Sequence, residues 1–331
     1  MKFAVIGAGG IGCYYAARLL NAGNDVALIA RGKHLHAMQD NGLTVKHVEL
    51  KFKQAVQAFS LDDWFAQTSV NQVDVIIVCL KAMQTQAFAE QLSTWFRQNK
   101  TTQLPLVLSL QNGVENEKYL VDALPKGLVL GGIARRIGAH IIKPGVVESI
   151  GPAQVILGLW PNHQHLDVLL STKITALAEC FNQANIPTEI AEDINKELWR
   201  KLIINNGLNP ICALLEMETG EATPRDDLKP LIKGAMGEAV IAAKANGVEL
   251  TADDLEEMLE LISTFDSIKP SMLVDREKAR PLEIEEICGV VIRGCEKLGL
   301  DAPYNRTIST LLSALINKRP LHESSFAPIR R

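Results

Sequence analysis

The segment Gly7-Ala8-Gly9-Gly10-Ile11-Gly12 constrains the fold of this chain more than any other. It follows Lys2 to Ile6, which reads as a strand, and runs into Ile11 to Asn21, whose apolar residues recur at helical spacing. Gly23 stands where that helix needs a C-terminal cap, and Asp25 to Ala30 returns as a second strand. A glycine string alone says little in a chain with 23 glycines. Set between strand and helix inside a βαβ unit, it predicts a dinucleotide site. The glycines permit the tight turn and the close approach of a pyrophosphate, while the helix N-terminus offers free N–H groups to the phosphates.

An NAD-preferring site of this kind carries a carboxylate about 20 residues further on, against the ribose 2′-hydroxyl. Here the second strand ends Leu28-Ile29-Ala30-Arg31-Gly32-Lys33, and the acid is missing. Arg31 can fork onto a 2′-phosphate and stack on adenine, and Lys33 adds a second positive charge, so the pattern predicts NADP(H). Further strands are expected at Val73 to Leu80 and Leu106 to Leu110, around an amphipathic Thr85 to Asn99, with more strands in Gly131 to Leu159. Leu43 to Ala58 reads as an extended excursion outside the core. Ligands of open α/β sheets bind beyond the carboxyl ends of strands, which singles out Lys81 and Asn112-Gly113. For Asn112-Gly113 a plain turn dipeptide is an equal reading.

A length of 331 residues suits two domains. Past Ile186-Pro187 the pattern becomes almost wholly helical, with Pro230, Pro270, Pro281 and Pro303 as helix starts and Gly247 and Gly299 as caps. The expected fold is α/β, a dinucleotide-binding domain over 1–190 followed by an all-α domain over 191–331, with Arg330-Arg331 as a solvated tail. A net charge of −4 offers no broad attraction to nucleic acid or anionic membranes. No apolar run reaches the ~18 residues of a membrane span, and no signal-peptide pattern precedes the glycine turn, so a cytoplasmic protein is expected. Cys13, Cys79, Cys180, Cys212, Cys288 and Cys295 form no Cys-x-x-Cys pair and read as reduced core residues, and no metal site is predicted.

Within the helical half, Lys201, Asn205 and Asn209 recur at four-residue spacing and form one polar stripe among apolar neighbours. The stripe either faces solvent or lines a polar cavity between the domains. A reductase needs a proton donor and a positive charge at the carbonyl oxygen as hydride arrives, and an ammonium supplies both. No tyrosine heads a Tyr-x-x-x-Lys pair, and no histidine closes an expected core strand beside an acid, which leaves Lys201 as the better candidate. Ser271 follows Lys269-Pro270 and Glu283 follows Pro281; each is either a helix-start residue or a ligand contact.

Taken together, these motifs resemble the ketopantoate reductase (2-dehydropantoate 2-reductase) family. The resemblance runs from the N-terminus to about residue 316 and rests on KFAVIGAGGIG over Lys2 to Gly12, Ile29-Ala30-Arg31-Gly32, Cys79-Leu80-Lys81-Ala82, Gln111-Asn112-Gly113, Trp199-Arg200-Lys201-Leu202 with Asn205 and Asn209-Pro210, and Ser271-Met272-Leu273 with Glu283. It implies a Rossmann domain followed by a helical domain, and reduction of 2-dehydropantoate to (R)-pantoate with NADPH in pantothenate and coenzyme A synthesis. It makes Lys201 the proton donor, with Asn205, Asn209 and Ser271 on the substrate, Glu283 on the cofactor and Asn112 on both. Gly7 to Gly12 and Arg31 would bind NADP, with Lys81 nearby and Ala134 as a backbone contact. Where some members carry asparagine before Gly-Glu, this chain has Thr219-Gly220-Glu221, so Thr219 keeps a hydroxyl and loses an amide at a substrate position. Leu43 to Ala66 matches weakly. Another 2-oxo acid or an imine as substrate, and a noncatalytic NADPH-binding sensor, are the alternatives. A homodimer through the helical domain is also expected, without a heptad seam to mark it.

Overall fold

A computed structural model describes residues 1–99, 103–163 and 167–317, so Arg330-Arg331 lies outside the described residues. The chain divides into two compact units, Met1–Leu202 and the residues from Ile203 onward. Strands of the first unit are β1 (Lys2–Ile6), β2 (Asp25–Ile29), β3 (Leu43–Lys46), β4 (Lys51–Gln54), β5 (Gln57–Phe59), β6 (Val75–Val78), β7 (Leu106–Ser109), β8 (Val129–Arg135), β9 (Gly138–Lys143), β10 (Val146–Ile150), β11 (Gln154–Leu159) and β12 (Thr188–Ile190). Its helices are α1 (Gly10–Asn21), α2 (Gly32–Asn41), α3 (Leu61–Gln67), α4 (Thr85–Asn99), α5 (Asn116–Ala123) and α6 (Val168–Gln183). Helix α7 (Ile194–Leu215) spans the division.

The main sheet runs β12-β11-β8-β7-β6-β1-β2-β5. From β5 to β8 every pairing is parallel, and only the β11–β8 contact is antiparallel. Numbered within the parallel set, β5-β2-β1-β6-β7-β8 is the 3-2-1-4-5-6 order of a Rossmann sheet, with the chain reversing direction of growth between β1 and β6. Strand residues alternate between two cores. Phe3 and Val5 of β1 face the cluster that holds Tyr14, Leu19 and Phe181, whereas Ala4 and Ile6 face the one that holds Trp64, Trp95 and Phe96.

Leu43 to Ala58 is extended as expected, but it belongs to the core. β3 and β4 join β10 and β9 in a second sheet of order β4-β3-β10-β9, and β5 completes the main sheet. Leu43, Val45, Leu50 and Phe52 are buried in it. Alternation puts one apolar face inward and leaves Lys46, Lys51 and Lys53 outward, which is why the segment looks polar when read by composition. Its partner β10 lies a hundred residues away in the chain, pairing Val146 with Thr44.

In the second unit α8 (Thr219–Ala222), α9 (Lys229–Lys244), α10 (Ala252–Ser263), α11 (Ser271–Glu277), α12 (Val290–Lys297) and α13 (Pro303–Ile316) follow α7. Pro230 and Pro303 stand in first turns, and Pro270 is the residue before α11. Pro281 lies outside the helix it precedes, which opens at Ile284 and makes a π-type turn over Glu285–Gly289 before α12. Gly247 and Gly299 adopt φ of +74° and +72° after α9 and α12, the left-handed caps their positions require. The unit division falls at Leu202 rather than at the change of texture near 190. The reason is local: the first turns of α7 pack on β8, where a methyl on Gly131 would meet Ile194 and Leu198.

Candidate active site

After β1 the chain turns at Gly7, whose φ of +91° and contact with the Cys79 backbone, 2.8 Å from where a Cβ would stand, admit glycine alone. The amides of Gly7 and Ala8 donate to Ile29 O at 3.1 and 2.8 Å, which ties the turn to β2. Gly10, Ile11 and Gly12 open α1, where backbone N–H groups have no intrahelical acceptor. A Cβ on Gly12 would meet Gly7 O at 2.5 Å, so this glycine lets helix and turn pack closely. Gly9 is different: the nearest atom to a Cβ there is 3.9 Å away. That open side, flanked by the amides that start α1, fits a dinucleotide pyrophosphate. Gly10 is hemmed by the second sheet, where a Cβ would collide with the backbone of Ala139. Beneath the turn, burial pushes the Cys79 thiol up to about 12 and raises Cys13 as well; all six cysteines are free.

Exposed Arg31 follows β2 and precedes α2, with exposed Lys33 in the first turn beyond it. No carboxylate occupies this strand end. Lys81 follows β6 and the half-buried Asn112 follows β7, both at the carboxyl edge shared by the parallel strands. A buried relay joins these two strand ends. Gln111 Nε2 donates to Leu80 O at 3.0 Å and to Thr85 Oγ1 at 2.7 Å; Thr85 Oγ1 donates to Asn116 Oδ1 at 2.8 Å; Asn116 Nδ2 donates to Asn112 O at 2.7 Å. With Gly113 at φ +94°, the relay sets the backbone that carries Asn112. Sequence reasoning missed Thr85 and Asn116. Their one local signal is a polar residue on an otherwise apolar helix face.

Lys201 Nζ donates to Ala134 O at 3.3 Å. The β7–β8 register, Val107 with Val129 and Leu108 with Leu130, puts Ala134 past the last residue of β7, at the same carboxyl edge. The first unit thus gathers the glycine turn, Arg31, Lys81, Asn112, Ala134 and Lys201 along one edge of its sheet. It also holds a group that sequence reasoning missed: Glu117 in α5 is wholly buried. Burial raises its carboxyl to about 7, against the pull of Ser109, its own amide and Lys201. A carboxylate in a helix first turn is ordinary dipole chemistry, so nothing in the sequence sets Glu117 apart.

In the second unit, Asn209 is buried and Asn205 half-buried on α7, so the stripe is not a solvated face at its C-terminal end. Ser271 opens α11 and is exposed; Glu283 is buried ahead of the π turn. Thr219 is buried with its hydroxyl engaged by backbone, donating toward Asp266 O or Ile268 O and accepting from the Ile268 amide at 3.1 Å. It pins the 266–268 loop. Asn206, one position off the stripe, points elsewhere, donating to Ile287 O in the π turn and to Asn305 Oδ1.

The sequence profile of the ketopantoate reductase PanE/ApbA family matches residues 3–162, and that of its C-terminal domain matches residues 193–316. A 2-dehydropantoate 2-reductase of Pyrococcus horikoshii is 30% identical over 317 residues, covering 95% of this chain and 97% of the relative. One from Archaeoglobus fulgidus is 29% identical over 314 residues, covering 94% and 96%. Among solved structures, a PanE/ApbA family ketopantoate reductase from Ralstonia eutropha JMP134 superimposes with a TM-score of 0.81 at 28% identity, covering 96% of this chain and 99% of that one. A D-mandelate dehydrogenase solved with NADH and anilino(oxo)acetate shares the fold, with a TM-score of 0.83 at 23% identity and coverage of 96% and 99%. Two consecutive profile matches on a Rossmann unit and a helical unit, together with a relative at this identity over nearly the whole length, lead to one conclusion: the chain belongs to the ketopantoate reductase PanE/ApbA family of oxidoreductases.

Proposed function

We propose that this chain reduces 2-dehydropantoate to (R)-pantoate with NADPH, in pantothenate and coenzyme A synthesis. The observation that carries the reading is Lys201, an ammonium held at Ala134 O on the carboxyl edge of the sheet, where the glycine turn and the Asn112 turn also stand. The names of the relatives support the substrate, and Arg31 in place of a ribose-binding acid supports NADP over NAD. Bound NADPH supplies the hydride for the C2 carbonyl carbon. Lys201 stabilises the developing alkoxide and gives it a proton. Gly7, Ala8, Gly9, Gly10, Ile11 and Gly12 hold the pyrophosphate, Arg31 the 2′-phosphate, and Lys81 lies beside them. Asn112 and the Ala134 backbone border the nicotinamide, Asn205, Asn209 and Ser271 hold the two ends of the substrate, and Glu283 meets the cofactor.

One observation favours a second reading, a different branched 2-oxo acid: the Thr219 hydroxyl is spent on the 266–268 backbone, which leaves that substrate position without a polar contact. NADPH oxidation with 2-dehydropantoate and a panel of 2-oxo acids separates the two. Turnover that is highest with 2-dehydropantoate, and higher with NADPH than with NADH, supports the first reading; a higher kcat/KM for another oxo acid replaces it with the second.

A further inference from the structure

Glu117 lies just past the Asn112-Gly113 turn, in the first turn of α5. Its side chain is wholly buried, and neither carboxylate oxygen has a hydrogen-bond partner in the described structure. The Ser109 hydroxyl at the end of β7 is buried and unpartnered too; it lies beside Glu117 and, by rotating its proton, supports the anion. A buried carboxyl without partners is costly, and its ionised form needs a compensating charge. α4 and β8, which pack on α5, bring no titratable side chain from their buried positions, where α4 presents Thr85, Phe88 and Leu92 and β8 presents Val129 to Ile133. Continuing the β7–β8 register, Ser109 stands level with Gly131 of β8, against which Ile194 and Leu198 of α7 pack; Lys201, one turn on, reaches Ala134 O of the same strand, so its ammonium is the cation this geometry brings towards Glu117, where it favours the charged form. Next to Lys201 on its own helix, Arg200 and Glu197 pair with each other at 3.8 Å.

We infer that Glu117 is a positioning residue for Lys201: its carboxylate, set behind the Asn112 turn and supported by Ser109, holds Lys201 in the ammonium form that serves as proton donor. The inference rests on the proton-donor reading of Lys201. Attraction is mutual, so the ammonium that favours the Glu117 anion is itself favoured by it. When Lys201 gives its proton away, that support for the Glu117 anion vanishes, and the charge around the buried carboxyl stays balanced only if Glu117 takes up a proton.

The test is the pH dependence of kcat/KM for 2-oxo acid reduction in the full-length protein, for the wild type, Glu117→Gln and Ser109→Ala. Loss of the anion in Glu117→Gln is expected to move the alkaline limb to lower pH by about one unit, the low end of what a nearby opposite charge does. NADPH affinity is expected to stay within about twofold. Ser109→Ala, which removes only the hydroxyl that supports the Glu117 anion, is expected to move the limb the same way by less. Profiles of both variants that superimpose on the wild type overturn the inference, as does a fall in kcat that is uniform across pH. If Glu117→Gln does not fold, the Ser109→Ala profile decides alone. Lys201→Ala, run alongside, keeps the two readings apart. Undiminished turnover there removes the proton-donor assignment itself, whereas lost turnover with unshifted limbs removes only the role of Glu117.

Discussion

Gly9 and Gly10 are neighbours in one motif, yet a methyl group at the two positions meets opposite surroundings. At Gly9 it enters open space beside the amides of α1, and the backbone there, φ −82° and ψ −156°, suits any residue. Gly9→Ala should therefore leave stability unchanged and weaken NADPH binding about tenfold or more, ~1.4 kcal/mol, as read by fluorescence titration. At Gly10 the methyl meets the Ala139 backbone, so Gly10→Ala should cost about 1–3 kcal/mol in a urea unfolding curve. A stable Gly10→Ala or a tightly binding Gly9→Ala would contradict this division of labour. Both glycines were legible as members of a dinucleotide turn, because strand, turn and helix are contiguous in sequence. Their separate duties were not, since β9, which crowds Gly10, lies over a hundred residues further along the chain.

Helix α7 shows the same limit at the level of an element. The four-residue spacing of Lys201, Asn205 and Asn209 is visible in the sequence because a helix brings such residues to one face. Asn206 has no such signal. It is wholly buried, and its partner Asn305 donates in turn to Glu238 at 2.8 Å and to Ala235 O at 3.2 Å. Glu238 accepts the Tyr304 and Asn305 amides, both at 2.9 Å, and so places a carboxylate at the start of α13. The network joins α7, α9, α13 and the π turn through residues far apart in sequence. Asn305→Ala strands the Asn206 donor and should cost about 2–3 kcal/mol, measured by urea denaturation. An unchanged midpoint would show that solvent satisfies these groups. Helix α7 also runs through Pro210. Extended segments were less legible than helices: β3 and β4 were recognisable as extended, but their burial depends on β9 and β10, which no local pattern announces.

Across the whole molecule, the order of strands and helices and the sequence family agree. Among the described residues, the strongly displaced carboxyl of Glu117 adds a dependence on pH. Glu117 holds its proton to about 7, against 4.5 for an ordinary glutamate, so between these values the folded chain binds a proton that the unfolded chain has released. Its contribution to stability is therefore greatest at the acid end of that window and is lost as pH rises through it. Relative to the wild type, Glu117→Gln should be more stable at pH 8 than at pH 5, as judged by urea midpoints; a difference of the opposite sign would show that the carboxyl is ionised in the folded chain throughout. The central claim is tested most directly by NADPH oxidation with 2-dehydropantoate, measured for the wild type and Lys201→Ala while NADPH binding is followed in both. The account predicts turnover in the wild type, at least about a hundredfold less in the variant, in line with the loss of a general acid, and equal NADPH binding. Equal turnover in the two proteins, or none in the wild type with 2-dehydropantoate, would contradict it.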